Sequence, residues 1–154
     1  MFLYLVQHAV AKPKEEDPDR PLSAQGRVDI DRMATFLAGN DVAVGSIRHS
    51  GKTRAAQTAD VLANRLQPAA GVSAVEGLKP LEDPAPWAEQ LKGEQDNLML
   101  VGHLPFVARL AALLVAGDPN VEVVRFQPGG ALCLERDAAG AWVIAWLVVP
   151  ALLG

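Results

Sequence analysis

Two short and almost uninterrupted apolar runs limit the folds open to this chain of 154 residues. Residues 2–6 and 97–101 have the composition of strands covered on both faces, which occur mainly in parallel sheets flanked by helices. Helical patterns alternate with strands, and the chain closes with a predicted antiparallel hairpin. The sequence therefore predicts an α/β protein, a three-layer α/β/α sandwich around a mixed, mostly parallel central sheet.

The remaining elements are predicted from apolar spacing and turn residues. The first helix should begin at the N-cap Ser23, run to residue 38 and bury its apolar side chains Val28, Met33, Phe36 and Leu37. Further helices are expected over 53–66, 87–91 and 105–115. Further strands are expected over 42–48, 72–75, 122–126, 131–135 and 142–148.

Composition narrows the classes of partner. The length favours a single domain over residues 1–154. The net charge of −4 offers no global attraction to nucleic acid or to an anionic membrane, so any anion site must be a local concentration of positive charge. Cys133 is the only cysteine, which excludes internal disulfides and CxxC-type metal sites. Residues 1–6 carry no basic leader and residues 142–153 are too short to span a bilayer, so a cytoplasmic protein is expected.

Three polar segments stand where a strand gives way to the next element. They contain His8, Arg54 and His103, and in open α/β sheets ligands bind outside the carboxyl ends of the strands. A neutral imidazole such as that of His8 can attack phosphorus when one ring nitrogen is free. Arg54 at a helix start offers a guanidinium beside free N–H groups, and His103 can donate to a phosphoryl oxygen. No spacing of these residues indicates a metal site.

Each residue taken alone also has an ordinary structural interpretation. His8 could be a satisfied core or surface histidine, and Arg54 a solvent-exposed arginine at a helix start. His49, which lacks a matching context, is expected to be a surface residue. Glu82 and Asp83, in the loop after residues 78–81, are the only candidates for a general acid. An acidic loop exposed to solvent explains them as well.

Taken together, the segments resemble the histidine phosphatase superfamily, and in particular the small bacterial phosphohistidine phosphatases of the SixA type. The likeness covers essentially the whole chain, through His8, residues 20–26, 50–58 and 101–105, and the closing hairpin after residues 128–130. It implies a phosphoglycerate-mutase-like fold with His8 as the phosphate-accepting nucleophile. It further implies that Arg54 and His103 neutralise the phosphoryl group, that Arg20 lines the rim, and that no cofactor or metal is needed. A phosphorylated protein of the histidine phosphotransfer type, or a small phosphorylated compound, would be the substrate.

The chain departs from the family pattern at two places. The family motif Arg-His-Gly is replaced by Gln7-His8-Ala9, and Gln7 can donate one hydrogen bond to phosphate but supplies no charge. Gly51 stands where the family usually has proline. Losing a charged transition-state contact commonly lowers a rate by roughly 10²- to 10³-fold.

Three functions therefore stay open. The first is a phosphohistidine phosphatase, whose imidazole leaving group, with a reference pKa near 6.5, departs more easily than an alkoxide. The second is a phosphatase for small phosphomonoesters, with Glu82 or Asp83 as the acid. The third is a catalytically weakened module that binds phosphate or a phosphoprotein, which the loss of charge at Gln7 suggests.

Overall fold

The computed structural model describes all 154 residues and arranges six strands in one mixed sheet. The strands are β1 (Phe2–Gln7), β2 (Ser46–His49), β3 (Val72–Ala74), β4 (Leu98–Gly102), β5 (Ala131–Arg136) and β6 (Trp142–Val148). The α-helices are α1 (Ala24–Gly39), α2 (Thr53–Leu66), α3 (Ala85–Leu91) and α4 (Phe106–Ala116), and a 3₁₀ turn covers Pro150–Leu152. None of the helices is long and apolar enough to cross a membrane.

The strand order is β3-β2-β4-β1-β5-β6. The first four strands pair in parallel, whereas β5 pairs antiparallel with β1 and β6 pairs antiparallel with β5. Side chains of β1 alternate between two cores: Tyr4 and Val6 pack with α1 and α2, and Leu3 and Leu5 pack with α3 and α4. The predicted three-layer α/β/α architecture is confirmed.

Two predictions about packing are wrong. Val28 and Phe36 are 46% and 38% exposed, because α1 buries the stripe formed by Gly26, Ile30, Met33, Ala34 and Leu37 and these two residues lie off it. Residues 122–126 form no strand, because this segment pairs with none of the six strands of the sheet. Of that segment only Phe126 is buried in the core.

The start of α1 is held against the loop that follows β1. The Ser23 side chain accepts from the Gly26 N–H and thereby caps the helix as predicted. A Cβ atom at Gly26 would collide with the Val10 carbonyl oxygen, so only glycine permits this close approach. The loop after β1 is therefore fixed by the helix that packs on it.

Candidate functional site

The three predicted segments meet at one edge of the sheet. His8 follows β1, Ser50 follows β2 and His103 follows β4, and these strands are adjacent and parallel. The His8 N–H donates to the Gly102 carbonyl over 2.9 Å, which ties the ends of β1 and β4 together. The chain leaves β1 toward the face that carries α1 and leaves β4 toward the face that carries α4. Such a divergence is where open α/β sheets form their ligand crevice.

The ring of His8 has a defined protonation state. Its Nδ1 atom lies 2.8 Å from the Ala9 carbonyl oxygen, and because a carbonyl only accepts, Nδ1 carries the proton and Nε2 keeps its lone pair. Burial lowers the pKa of His8; the hydrogen bond to Ala9 opposes this, and the charges of Arg54 and Arg20 lower it further. His8 is therefore a neutral imidazole with a free Nε2 near pH 7.

The ring of His103 packs at a tilt against that of this nucleophile candidate. The two ring centroids are 4.9 Å apart at an interplanar angle of 55°, and His103 is only 1% exposed. Its Nε2 lies 2.6 Å from the Ser50 hydroxyl oxygen, which also accepts from the Lys52 N–H. Burial, followed by the positive charges around it, lowers the pKa of His103 to about 3. The residue is thus a neutral hydrogen-bonding group and not a fixed charge.

Three cations converge on the two histidines. Arg54 lies in the first turn of α2, Arg20 and Lys52 lie nearby, and none of them takes part in the five ion pairs of the protein. Burial and then the charge of Arg20 lower the pKa of Arg54. No carboxylate contributes to the pKa shift of His8 or His103. A local positive field therefore exists in a chain whose net charge is −4.

Arg20 has a constrained backbone. Its φ of 48° lies in the left-handed region, which a non-glycine residue adopts at a cost of about 1–2 kcal/mol. Its backbone N–H donates to the Asp17 carbonyl and its Nε donates to the Lys12 carbonyl. These bonds leave the two terminal guanidinium nitrogens without a hydrogen-bond partner in the protein.

Only three buried side-chain polar atoms of the protein have no hydrogen-bond partner: Gln7 Oε1, Arg54 Nε and His103 Nδ1. All three belong to residues that the sequence singled out. A buried polar atom without a partner costs about 1–3 kcal/mol, and such exceptions concentrate at sites that receive a ligand. An anion would satisfy an N–H group of Arg54 or His103, whereas Gln7, which is 9% exposed, would have to turn its amide to present Nε2.

Sequence reasoning missed Thr58, whose hydroxyl group holds these segments together. Thr58 is fully buried; its Oγ1 accepts from the Ala9 N–H over 3.1 Å and donates to the Arg54 carbonyl over 2.7 Å. The side-chain oxygen of the preceding residue, Gln57, accepts from the Leu22 N–H over 2.8 Å. This bond holds the segment that bears Arg20 against α2. The available signal was a threonine on the same helical stripe as the buried Ala55, Ala59 and Leu62.

The prediction that His49 is a surface residue is wrong. It is 9% exposed, because it ends β2 between the neighbouring strands β3 and β4. Its Nδ1 accepts from the Gly51 N–H over 3.1 Å, and its carbonyl accepts from the Val75 N–H. His49 thus shapes the turn that carries Ser50 and Lys52.

Gly51 has a φ of +87°, which proline, with φ fixed near −65°, cannot adopt. A proline at this position would therefore require a different backbone conformation of the turn. Glycine is the residue that tolerates this conformation best.

Neither acid candidate is placed at the site. Glu82 and Asp83 are exposed, and the Asp83 carboxylate accepts from the Ala85 N–H at the start of α3. Neither residue affects the pKa of His8 or His103. No group of three or more His, Cys, Asp or Glu side chains is arranged to hold a metal ion.

Comparisons with known proteins establish the fold. No protein-family model and no curated protein matches the chain. Among solved structures, the protein histidine phosphatase SixA complexed with tungstate superposes with a TM-score of 0.87 at 24% identity, over 100% of both chains. A protein from Agrobacterium tumefaciens assigned as a SixA phosphohistidine phosphatase gives a TM-score of 0.77 at 20% identity, over 97% of both chains. A phosphoserine phosphatase from Entamoeba histolytica gives 0.71 at 16% identity, over 95% of both chains. The predicted histidine-phosphatase fold is confirmed.

Proposed function

We propose that this protein is a metal-free phosphohistidine phosphatase that acts on a phosphorylated protein through a phosphohistidine intermediate on His8. The observation that carries the proposal is the state of His8. Its proton is held on Nδ1 by the Ala9 carbonyl, its Nε2 is free, and the charges that act on it come from arginines. A nucleophile in this state needs no base to activate it.

The first step transfers the phosphoryl group to the enzyme. His8 Nε2 attacks phosphorus in line, the bond from phosphorus to the substrate imidazole breaks, and that imidazole takes the bonding electron pair. It leaves as a neutral base when its second nitrogen already holds a proton, so no acid is required. Arg54, Arg20 and the N–H groups at the start of α2 stabilise the phosphoryl oxygens, and His103 offers a hydrogen bond.

The second step releases phosphate. Water attacks the phosphorus atom, the bond to His8 Nε2 breaks, and the electron pair returns to the ring while Nδ1 keeps its proton. The products are neutral His8 and dihydrogen phosphate, so charge and atoms balance. The same cations stabilise the transition states of both steps.

The position of the acids favours phosphohistidine over a phosphomonoester. An alkoxide leaving group needs a proton donor, and both Glu82 and Asp83 lie outside the pocket. A phosphomonoesterase would have to bring one of them in. The second candidate function therefore predicts that Glu82→Gln or Asp83→Asn lowers turnover of phosphomonoesters.

A binding module is the third candidate, motivated by the missing charge at Gln7. The three unpaired cations around the histidines, Arg54, Arg20 and Lys52, argue that the charge is supplied from elsewhere. Under the proposal, Gln7→Arg raises turnover by far less than the roughly 10²-fold expected from restoring an absent charge.

The test is phosphate release from a phosphohistidine-bearing protein in the presence of a chelator. Wild type should turn over, and His8→Ala should lose turnover. His49→Asn is the comparison: it removes another largely buried histidine, one that shapes the turn after β2, and should lower turnover far less than His8→Ala. Wild-type turnover in His8→Ala would refute the mechanism. Absence of wild-type turnover together with activity in Gln7→Arg would favour the binding module.

A further inference from the structure

A groove of about 440 Å³ opens at the carboxyl ends of β2 and β3, on the side of the sheet edge where Ser50 contacts His103. One wall is the turn after β2, with Ser50 and Lys52, and the other is the segment after β3, with Glu76 and Lys79. Ser50 contributes to this wall and also contacts His103, so the groove continues outward from the candidate site.

The groove is lined by more positive than negative charge. Lys52 and Lys79 form no ion pair, and neither does Glu76, which leaves a formal excess of one positive charge along the walls. Lys52 also helps to lower the pKa of His103, as expected for an ammonium group close to the pocket. Lys79 is exposed on the outer wall.

The outer wall is held in place before any substrate binds. The Val75 N–H donates to the His49 carbonyl, and the indole of Trp87 donates to the Glu76 carbonyl over 3.4 Å. Gly77 adopts a φ of +85° directly against that indole, and the next residue, Leu78, is buried. A preformed wall spares the ordering cost that a mobile loop would add to binding.

We propose that this groove binds an acidic segment flanking the phosphohistidine of a protein substrate, and that Lys79 is a specificity-determining residue. The inference rests on the proposed function, whose substrate class it narrows. Both Lys79 and Glu76 are exposed, so the groove is open along one side and a polypeptide can pass through it. Lysines on two walls attract carboxylates, while Glu76 disfavours a basic segment.

The experiment uses two phosphohistidine peptides of equal length, with glutamates or with glutamines on either side of the modified residue. Lys79→Ala should raise the KM for the acidic peptide about three- to fivefold, as for an exposed ion pair, and change that for the neutral peptide less than twofold. Lys79→Glu should give a larger effect of the same kind. Glu76→Gln should lower the KM for the acidic peptide. Lys92→Ala is the control, because it makes the same change in net charge at the C-terminal end of α3, outside the groove.

Direct binding separates a failure of the groove from a failure of the proposed chemistry. Fluorescence anisotropy of the two peptides on His8→Ala protein reports affinity without turnover. Preference for the acidic peptide that disappears in the His8→Ala/Lys79→Glu double variant supports the groove, even if wild type hydrolyses neither peptide. Equal affinity for both peptides, or equal effects of Lys79→Ala and Lys92→Ala, would overturn it whether or not turnover occurs.

Discussion

Replacing Thr58 with valine tests how the site is held together. Valine keeps the shape of threonine but removes the hydroxyl that accepts from the Ala9 N–H. That N–H belongs to a fully buried residue and would be left without a partner, at a cost of about 1–3 kcal/mol. The Arg54 carbonyl keeps the helical hydrogen bond from the Thr58 backbone N–H, so only one group is orphaned.

A central value of about 2 kcal/mol corresponds to a fall in Tm of about 4–8 °C for a chain of this size. The Thr58→Ser control keeps the hydroxyl and loses one buried methyl group, which costs about 1 kcal/mol. The free energy of unfolding of wild type, Thr58→Val and Thr58→Ser should be measured in urea.

The same three proteins also separate stability from positioning. The Ala9 residue that Thr58 fixes provides the carbonyl that orients His8, so loosening it displaces the proposed nucleophile. Turnover of a phosphohistidine substrate should fall about tenfold or more in Thr58→Val at a temperature where it is fully folded, and less than threefold in Thr58→Ser. Equal stability and equal turnover of the valine and serine variants would refute the reasoning.

The remaining predictions concern pH and the turn after β2. All three histidines have a lowered pKa, chiefly because of burial, so the unfolded chain binds protons more readily than the folded one as the pH falls below about 6.5. The unfolding free energy should therefore decrease between about pH 7 and pH 5, by up to about 2 kcal/mol from His103 alone, and NMR titration should place the midpoint of each ring below 6.5. A histidine that titrates at its ordinary value would contradict the burial described here. At Gly51, alanine should cost about 1–2 kcal/mol because of its positive φ, and proline should cost more because it also removes the N–H that donates to His49. Thermal denaturation should rank wild type above alanine and alanine above proline; a proline variant as stable as wild type would show that the turn has another conformation.

Local pattern was sufficient to locate His8, Arg54 and His103 at element boundaries, because apolar runs and helix starts are properties of neighbouring residues. Their convergence depended on β4 lying between β1 and β2, an order that strand composition does not encode. The order of strands in the sheet also explains why the prediction that His49 is a surface residue is wrong. A polar residue at the end of a short strand looks exposed until strands are known to flank it on both sides.

The contacts made by the hydroxyl groups of Thr58 and Ser50 could not be predicted from the sequence for a related reason. Thr58 and Ser50 act on segments far away in the chain, on Ala9 and His103, so nothing in their own neighbourhood distinguishes them from ordinary helix and turn residues. The strand predicted over residues 122–126 is the opposite case, in which a local pattern was present but the element did not form. Its two valines and its phenylalanine suit a strand, but a strand also has to pair with a neighbour, and this segment pairs with none.

The absence of a charge at Gln7 is best understood together with the protonation of the two histidines. Because both rings are neutral, the positive charge that faces a phosphoryl group comes from Arg54, Arg20 and Lys52. A fourth cation at position 7 would add a phosphate contact, but it would also stand beside Arg54 and Arg20, which already lower the pKa of His8, and a lower pKa makes an imidazole a weaker nucleophile. The two effects oppose each other. Under the proposed function, a glutamine in a pocket that already holds three unpaired cations is therefore compatible with turnover.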